Sequence, residues 1–203
     1  MTVDVSHYKA LIFDMDGTLI DTMPSHLKAW QQTAEQYNFP YEKEWIHSMG
    51  GMPTLKVAKQ LNAKYDVKIE PAIVADTKTA YFSSLIHDGK IIDCTYQVLE
   101  QFQGQKKIAI GTGSNHHNAM KLLEYNGMLT MIDALVTSRD VENHKPNPDT
   151  FLLAAERLGI KPKDCVVFED TEIGRQAALA AGMACIMVVD GELVESNHKM
   201  ASS

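Results

Sequence analysis

Five stretches of this chain run apolar residue after apolar residue without alternation: positions 9–14, 107–111, 134–137, 164–169 and 184–190. Strands that read this way are buried on both faces, as in a parallel sheet with helices on each side. Between the later stretches the spacing becomes helical. Positions 118–125 carry Ala119, Leu122 and Leu123 on one side and close on Asn126 and Gly127, a stop signal. Positions 148–158 carry Phe151, Leu152, Ala155 and Leu158 and end at Gly159, and the Ala-rich run 174–181 ends at Gly182. Strand and helix alternate, which predicts an α/β fold: a doubly wound, Rossmann-like parallel sheet.

Positions 21–90 break the alternation. Leu27, Trp30, Ala34 and Tyr37 recur at helical spacing, with Pro24 favourable in the first turn. A second helix is predicted over 42–49, stopping at Gly50 and Gly51. A third is marked by Leu55, Ala58, Leu61 and Tyr65. A fourth is marked by Ile73, Thr77, Ala80, Tyr81 and Leu85 and ends near Asp88 and Gly89. Four helices with no strand between them predict a small α-helical cap over 21–90. It is inserted after the first strand of a core made from 1–20 and 91–203. No internal repeat or low-complexity segment interrupts this plan.

Composition narrows the function classes. The chain has 203 residues, 45% apolar and 22% charged, an ordinary soluble globular make-up with room for one domain and a substantial insertion. A net charge of -7 argues against a broad nucleic-acid or membrane-binding surface, so an anionic ligand needs a few focused cations or a metal. No window approaches 18 uninterrupted apolar residues, and positions 1–9 lack the pattern of a signal peptide. Cys94, Cys165 and Cys185 are far apart without CxxC spacing. Cys165 and Cys185 lie in apolar runs as buried thiols, and a reducing cytoplasm is the expected location.

The chemistry gathers at the strand ends, where ligands bind in open α/β sheets. The first strand runs into Asp14 and Asp16, then Gly17 and Thr18. Two close carboxylates repel unless a cation joins them; the plain alternative is a turn in which Asp caps backbone amides. The second ends in Gly111, Thr112, Gly113, Ser114 and Asn115, either a phosphate seat at a helix start or a capped loop. After the third comes Lys145, Pro146, Asn147, Pro148 and Asp149, either a positioned cation or surface. The fourth, Val166, Val167 and Phe168, runs into Glu169 and Asp170; a helix cap by Asp170 or Thr171 is the alternative. Together these ends supply what Mg²⁺ and a phosphoryl group require, and both would offset the repulsion among Asp14, Asp16 and Asp170.

On these motifs, in this order, the chain resembles the haloacid dehalogenase-like phosphatase superfamily over nearly its whole length. Its cap looks like the type in β-phosphoglucomutase and related sugar-phosphate phosphatases. The resemblance implies that Asp14 is the nucleophile, forming an aspartyl-phosphate. Asp16 would protonate the leaving oxygen and then activate water. Mg²⁺ would be held by Asp14, the Asp16 backbone carbonyl and Asp170, with Glu169 assisting. Thr18, Thr112, Lys145 and the groups of Gly113, Ser114 and Asn115 would hold the phosphoryl oxygens, and Lys145-Pro146 would be a cis peptide. From the cap, Thr22, His26, Gly50 and Lys78 would face the substrate. His26 either orients Asp16 or is a polar helix residue; Lys78 is either a cationic cap residue or part of a solvated face.

A mutase of this subgroup needs a second anion clamp in the cap, a Lys-Gly pair followed shortly by Arg. Here Met49-Gly50 and Met52-Pro53-Thr54 stand at those places. The resemblance then favours a hydrolase for a small sugar or polyol monophosphate, fructose 1-phosphate first. A β-phosphoglucomutase and a catalytically idle phosphate-binding protein are the alternatives. Met49 and Met52 are candidates for a substrate-facing apolar wall, while Trp45 and Tyr81 are expected in the cap core. His116 and His117 lie about 100° apart on a helix, poor joint ligands at an exposed helix start. His144 stands where relatives often have Gly. A monomer is expected.

Overall fold

A computed structural model describes residues 3–85 and 89–195. Six strands form one sheet in the order β5-β4-β1-β6-β7-β8. They are β1 (Ala10–Phe13), β4 (Lys107–Gly111), β5 (Ala134–Val136), β6 (Cys165–Glu169), β7 (Ala184–Val189) and β8 (Glu192–Glu195). All neighbours are parallel except β7 and β8. The first strand is central, with Phe13 level with Ile110 of β4 and Phe168 of β6. That register places the residues following Phe13, Phe168 and β4 side by side at the carboxyl ends of these central strands.

The absence of alternation follows from burial on two sides. Leu11, Phe13, Ile108, Ile110, Val166 and Phe168 pack with Leu99 of α5 (Asp93–Phe102) and with Ala119, Leu122 and Leu123 of α6 (His116–Tyr125). Ala10, Ile12, Ala109 and Val167 pack on the other side with Phe151, Ala154 and Ala155 of α7 (Asp149–Leu158). Ala177 and Ala178 of α8 (Glu172–Ala180) complete that face. Every β1 side chain is fully buried. The fold is the expected doubly wound α/β core, with element ends shifted by a residue or two.

Between β1 and α5 lie α1 (Met23–Tyr37), α2 (Lys43–His47), α3 (Thr54–Tyr65) and α4 (Pro71–Ser84). They share a separate apolar cluster of Trp30, Ala34, Ile46, Met49, Val57, Ala58, Leu61 and Val74. Trp45 packs against it, as expected. Tyr81 instead packs against the cluster under β1, with its hydroxyl 2.8 Å from Gln36 Oε1.

Three features depart from the expectation. The insertion is entered and left through a two-stranded antiparallel ribbon, β2 (Ile20–Asp21) with β3 (Lys90–Ile91), so the segment 21–90 is not free of strand. Helix α5 and strand β8 are additions. β8 returns through Asp190 (φ 50°) and Gly191 (φ 76°), the two left-handed residues that a tight hairpin turn needs. The fourth helix ends at Ser84, and Asp88, its expected stop, lies outside the described residues. No helix among the described residues is long and apolar enough to cross a membrane.

Candidate active site

Asp14 follows β1 directly and is fixed by its backbone N–H, which donates to Phe168 O at 2.9 Å. Its side chain is buried against Lys145, whose Nζ lies 2.6 Å from Asp14 Oδ1 and 3.1 Å from Glu169 Oε1. All three are nearly out of reach of solvent. Lys145 Nζ also sits 4.6 Å from the centre of the Phe151 ring. The Lys145-Pro146 peptide is cis, as the resemblance implies.

Carboxylate oxygens of Asp14, Glu169 and Asp170 all lie within 4.8 Å of one another. Burial and the neighbouring acids push the Asp14 carboxyl well above its ordinary range, against the pull of Lys145. Burial and Glu169 push Asp170 up to about 7. Burial opposes the charge on Lys145, yet Asp14 and Glu169 outweigh it and hold its pKa above that of an ordinary lysine. Gly17 has φ +89°, and a Cβ there would lie 2.3 Å from Asp170 Oδ2, so the turn after Asp16 has no room for a side chain.

Asp16 turns away from this group. Its Oδ1 accepts from Thr22 Oγ1 at 2.7 Å and faces His26 Nε2 at 3.4 Å. Its Oδ2 accepts from Ser114 Oγ at 2.7 Å and Thr112 Oγ1 at 3.2 Å. Burial raises its pKa, but hydrogen bonds from His26, Thr22 and Ser114 outweigh burial and hold the carboxylate ionised. The three-carboxylate cluster therefore holds Glu169 where Asp16 was expected. The metal role that the resemblance implies for Asp16 is through its backbone carbonyl and does not depend on where the side chain points.

Thr18 is also displaced. It is fully buried and donates to Asp170 Oδ1 at 3.2 Å, so it supports an acid of the cluster instead of lining the phosphate seat. Glu169 is more engaged than expected, accepting from the backbone N–H of Thr171 at 3.0 Å as well as from Lys145. Thr171 caps α8 through Gly174, so Asp170 is not the cap.

The candidate phosphate seat lies at the start of α6. Ser114 N–H donates to Thr112 Oγ1 at 3.0 Å, and Asn115 Oδ1 caps the helix from Asn118 N–H at 2.9 Å. A Cβ on Gly113 would lie 2.9 Å from Gly51 O, so the loop after α2 rests directly on this seat.

From the insertion, Lys78 on α4 is buried and places Nζ 2.5 Å from His26 Nδ1, while the His26 ring stacks on Phe82 at 4.0 Å. Burial and Lys78 lower the His26 pKa, and burial brings Lys78 down to about 7. A neutral imidazole accepting at Nδ1 and donating from Nε2 to Asp16 satisfies both contacts. The solvated-face reading of Lys78 and the plain polar-residue reading of His26 both fall.

Asp14, Asp16, His26, Gly50, Lys78, Thr112, Gly113, Ser114, Asn115, Glu169 and Asp170 line one pocket, and Met49 and Met52 are on its wall as expected. Thr18, Thr22 and Lys145 stand behind it. The sequence reading missed Leu27, Trp30, Phe82 and Asn118, which also line it. Phe82 lies four residues from Lys78, on the same helix face, which was the available signal. Among the described residues, His116, His117 and His144 are absent from the lining.

Residues 11–188 match the family described as haloacid dehalogenase-like hydrolase. The chain is 39% identical over 181 residues to fructose-1-phosphate phosphatase YqaB of Escherichia coli, covering 89% of this chain and 96% of that protein. It is 31% identical over 180 residues to a phosphorylated carbohydrates phosphatase of Thermotoga maritima, covering 86% and 82%. A crystal structure of β-phosphoglucomutase from Clostridium difficile superposes with a TM-score of 0.83 at 26% identity, covering 90% of this chain and 85% of that one. The family match and the two phosphatase relatives make this chain a hydrolase built on a doubly wound core with acids clustered at its strand ends. The chain belongs to the haloacid dehalogenase-like hydrolase family.

Proposed function

We propose that this protein hydrolyses the phosphomonoester of a small sugar or polyol, fructose 1-phosphate being the first candidate, through an aspartyl-phosphate on Asp14. The chain is a phosphoric monoester hydrolase. The observation that carries the mechanism is a buried carboxylate at the floor of the pocket, 2.6 Å from Lys145. Residues 21–90 act as the cap over 1–20 and 91–203 in this reading.

One oxygen of Asp14 attacks phosphorus in line while the ester oxygen departs. Thr112, Ser114, the backbone N–H groups after Thr112, and Lys145 hold the phosphoryl oxygens. Recruiting Thr112 and Ser114 to the phosphoryl group removes two donors from Asp16 Oδ2. That raises its pKa, so Asp16 takes up a proton from solvent as substrate binds and passes that proton to the leaving oxygen. Asp16 then takes a proton from the water that opens the aspartyl-phosphate, so ester and water yield alcohol and phosphate. His26 and Thr22 hold the Asp16 side chain for both transfers.

The acid cluster fits Mg²⁺. Its donors are hard carboxylate oxygens within 4.8 Å of one another, and burial, together with Glu169, raises the pKa of Asp170 despite Lys145, a penalty on the charged form that a bound cation would offset. Asp14, Asp170 and the Asp16 backbone carbonyl would hold the ion, with Glu169 behind them. When bound it neutralises phosphoryl charge beside Asp14.

The substrate class rests on the names of the two phosphatase relatives and on the cap wall. Met23, Leu27, Trp30, Ile46, Met49, Met52, Val57 and Phe82 line the pocket on the cap side. Among the described lining residues Lys78 is the only Lys or Arg, and it already faces His26. Losing two charge-assisted contacts weakens binding of a second phosphate by roughly 3 kcal/mol, so a bisphosphate cycle is disfavoured. In a panel of phosphorylated sugars with Mg²⁺, the expected result is stoichiometric phosphate release, best with fructose 1-phosphate. Chelation with EDTA should lower the rate by at least about 10²-fold. Conversion of β-glucose 1-phosphate plus glucose 1,6-bisphosphate to glucose 6-phosphate, without phosphate release, favours the mutase instead.

The contact between Gly51 and Gly113 gives a second expectation. Gly113→Ala forces the cap loop off the phosphate seat. It is expected to lower kcat/KM by about tenfold, read by steady-state kinetics on the best substrate. Unchanged kinetics would mean that catalysis does not need this close approach.

A further inference from the structure

Asn118 belongs to none of the roles given above, yet it sits in the first turn of α6, 3% exposed, and lines the pocket. Its backbone N–H is spent on the Asn115 cap. One half of its carboxamide is held across the cleft, with Oδ1 3.0 Å from Ser83 Oγ of α4. Ser83 has a single hydroxyl proton, and Thr79 O competes for it at 2.9 Å. Whichever way the amide is turned, one half is committed to Ser83. The other half has no hydrogen-bond partner among the described residues, and it is not one of the sealed atoms lacking a partner. In a residue this enclosed, the remaining opening is to the pocket. An amide half that opens onto the pocket meets water in the free protein, and a ligand that displaces this water must replace its hydrogen bond, so the half-used side chain points to a ligand with a polar group there.

We propose that the Asn118 carboxamide hydrogen-bonds a hydroxyl of the leaving alcohol and sets the preference for hydroxylated over plain alkyl phosphomonoesters; the proposal rests on the hydrolase reading above. A hydroxyl both donates and accepts, so it satisfies either half of the amide. Helix α6 begins directly after the phosphate seat, which puts the recognised hydroxyl close to the ester. Across the pocket Leu27, Trp30 and Ile46 offer an apolar surface to the C–H side of the same molecule. One wall thus reads hydroxyls and the other covers carbon, the two-sided match that a polyol presents.

The test compares kcat/KM for fructose 1-phosphate and butyl phosphate in wild type, Asn118→Ala and Ser83→Ala, with thermal melting as the folding control. Asn118→Ala is expected to reduce the ratio of the two by about tenfold, mainly through KM. Ser83→Ala removes only the tie between α4 and α6 and is expected to change the ratio by less than about threefold. If Asn118→Ala does not fold, Asn118→Ser keeps a hydrogen-bonding group in the space and must still lower the ratio. An unchanged ratio in the Asn118 variants overturns the proposal, as does an equal shift in Ser83→Ala, which would assign the effect to helix packing. Wild type that releases phosphate from neither ester refutes the hydrolase reading, and the proposal with it.

Discussion

Replacing Asp14 by asparagine is expected to lower phosphate release by at least about 10⁴-fold while leaving the fold intact. Asparagine has the same shape but no oxygen nucleophile. The loss should appear in kcat, because the proposed phosphoryl seat of Thr112, Ser114 and Lys145 is untouched. Stability should hold or rise. The carboxyl of Asp14 is buried among Glu169 and Asp170, and both raise its pKa; a neutral amide removes that repulsion. Lys145 keeps Glu169 as a partner at 3.1 Å. Intact-mass analysis of acid-quenched reactions adds a direct readout: a phosphoryl adduct in wild type and none in the variant. Activity within tenfold of wild type, or an adduct that persists in Asp14→Asn, would remove Asp14 from the centre of the mechanism.

Much of this site was legible because the sheet brings successive strand ends together. Asp14, Thr112, Lys145 and Glu169 are far apart in sequence, but each lies at or after the end of a readable strand, and a parallel sheet aligns such ends by its register. What the motifs did not carry was side-chain direction. Asp16 is two residues from Asp14, yet the turn at Gly17 sends its carboxylate toward Thr22 and Ser114. Thr18 is drawn to Asp170 by the same turn. Lys78 read as either a cationic cap residue or part of a solvated face, because sequence does not show that α4 lays its inner face on His26 and Phe82. The omitted elements had signals of their own. Thr95, Val98, Leu99 and Phe102 have helical spacing, and Asp190-Gly191 is a hairpin dipeptide. Asn118 had none, since its meaning depends on Ser83 coming near from another part of the chain.

Lys145 is expected to be needed for folding as much as for chemistry, and Lys145→Met separates the two by pH. Among the described residues, the lysine is the one cation bonded to Asp14 and Glu169, in a region closed to water. Removing it leaves buried acids without compensation, which costs about 3–5 kcal/mol when they are ionised. For a chain of this size that corresponds to a fall in Tm of about 10 °C at pH 8. The sign of the pH effect follows from the acids. Asp170 already titrates at about 7 against an ordinary 3.8, and Asp14 is raised as well. Groups raised in the folded state bind protons there that the unfolded chain has released. They favour folding at low pH and lose that contribution as pH rises through the folded value. Without Lys145 these values move higher still. The deficit of the variant should therefore be full at pH 8 and shrink as pH falls toward about 5, where buried carboxyls take protons instead of needing a cation. Added Mg²⁺ should recover part of the loss at pH 8 by supplying positive charge to the same acids. Phosphate release should stay depressed by about 10²-fold or more even where stability returns, because Met donates nothing to a phosphoryl oxygen. A Tm difference that is the same at both pH values would mean that Lys145 supports the fold through packing against Phe151, not through its charge.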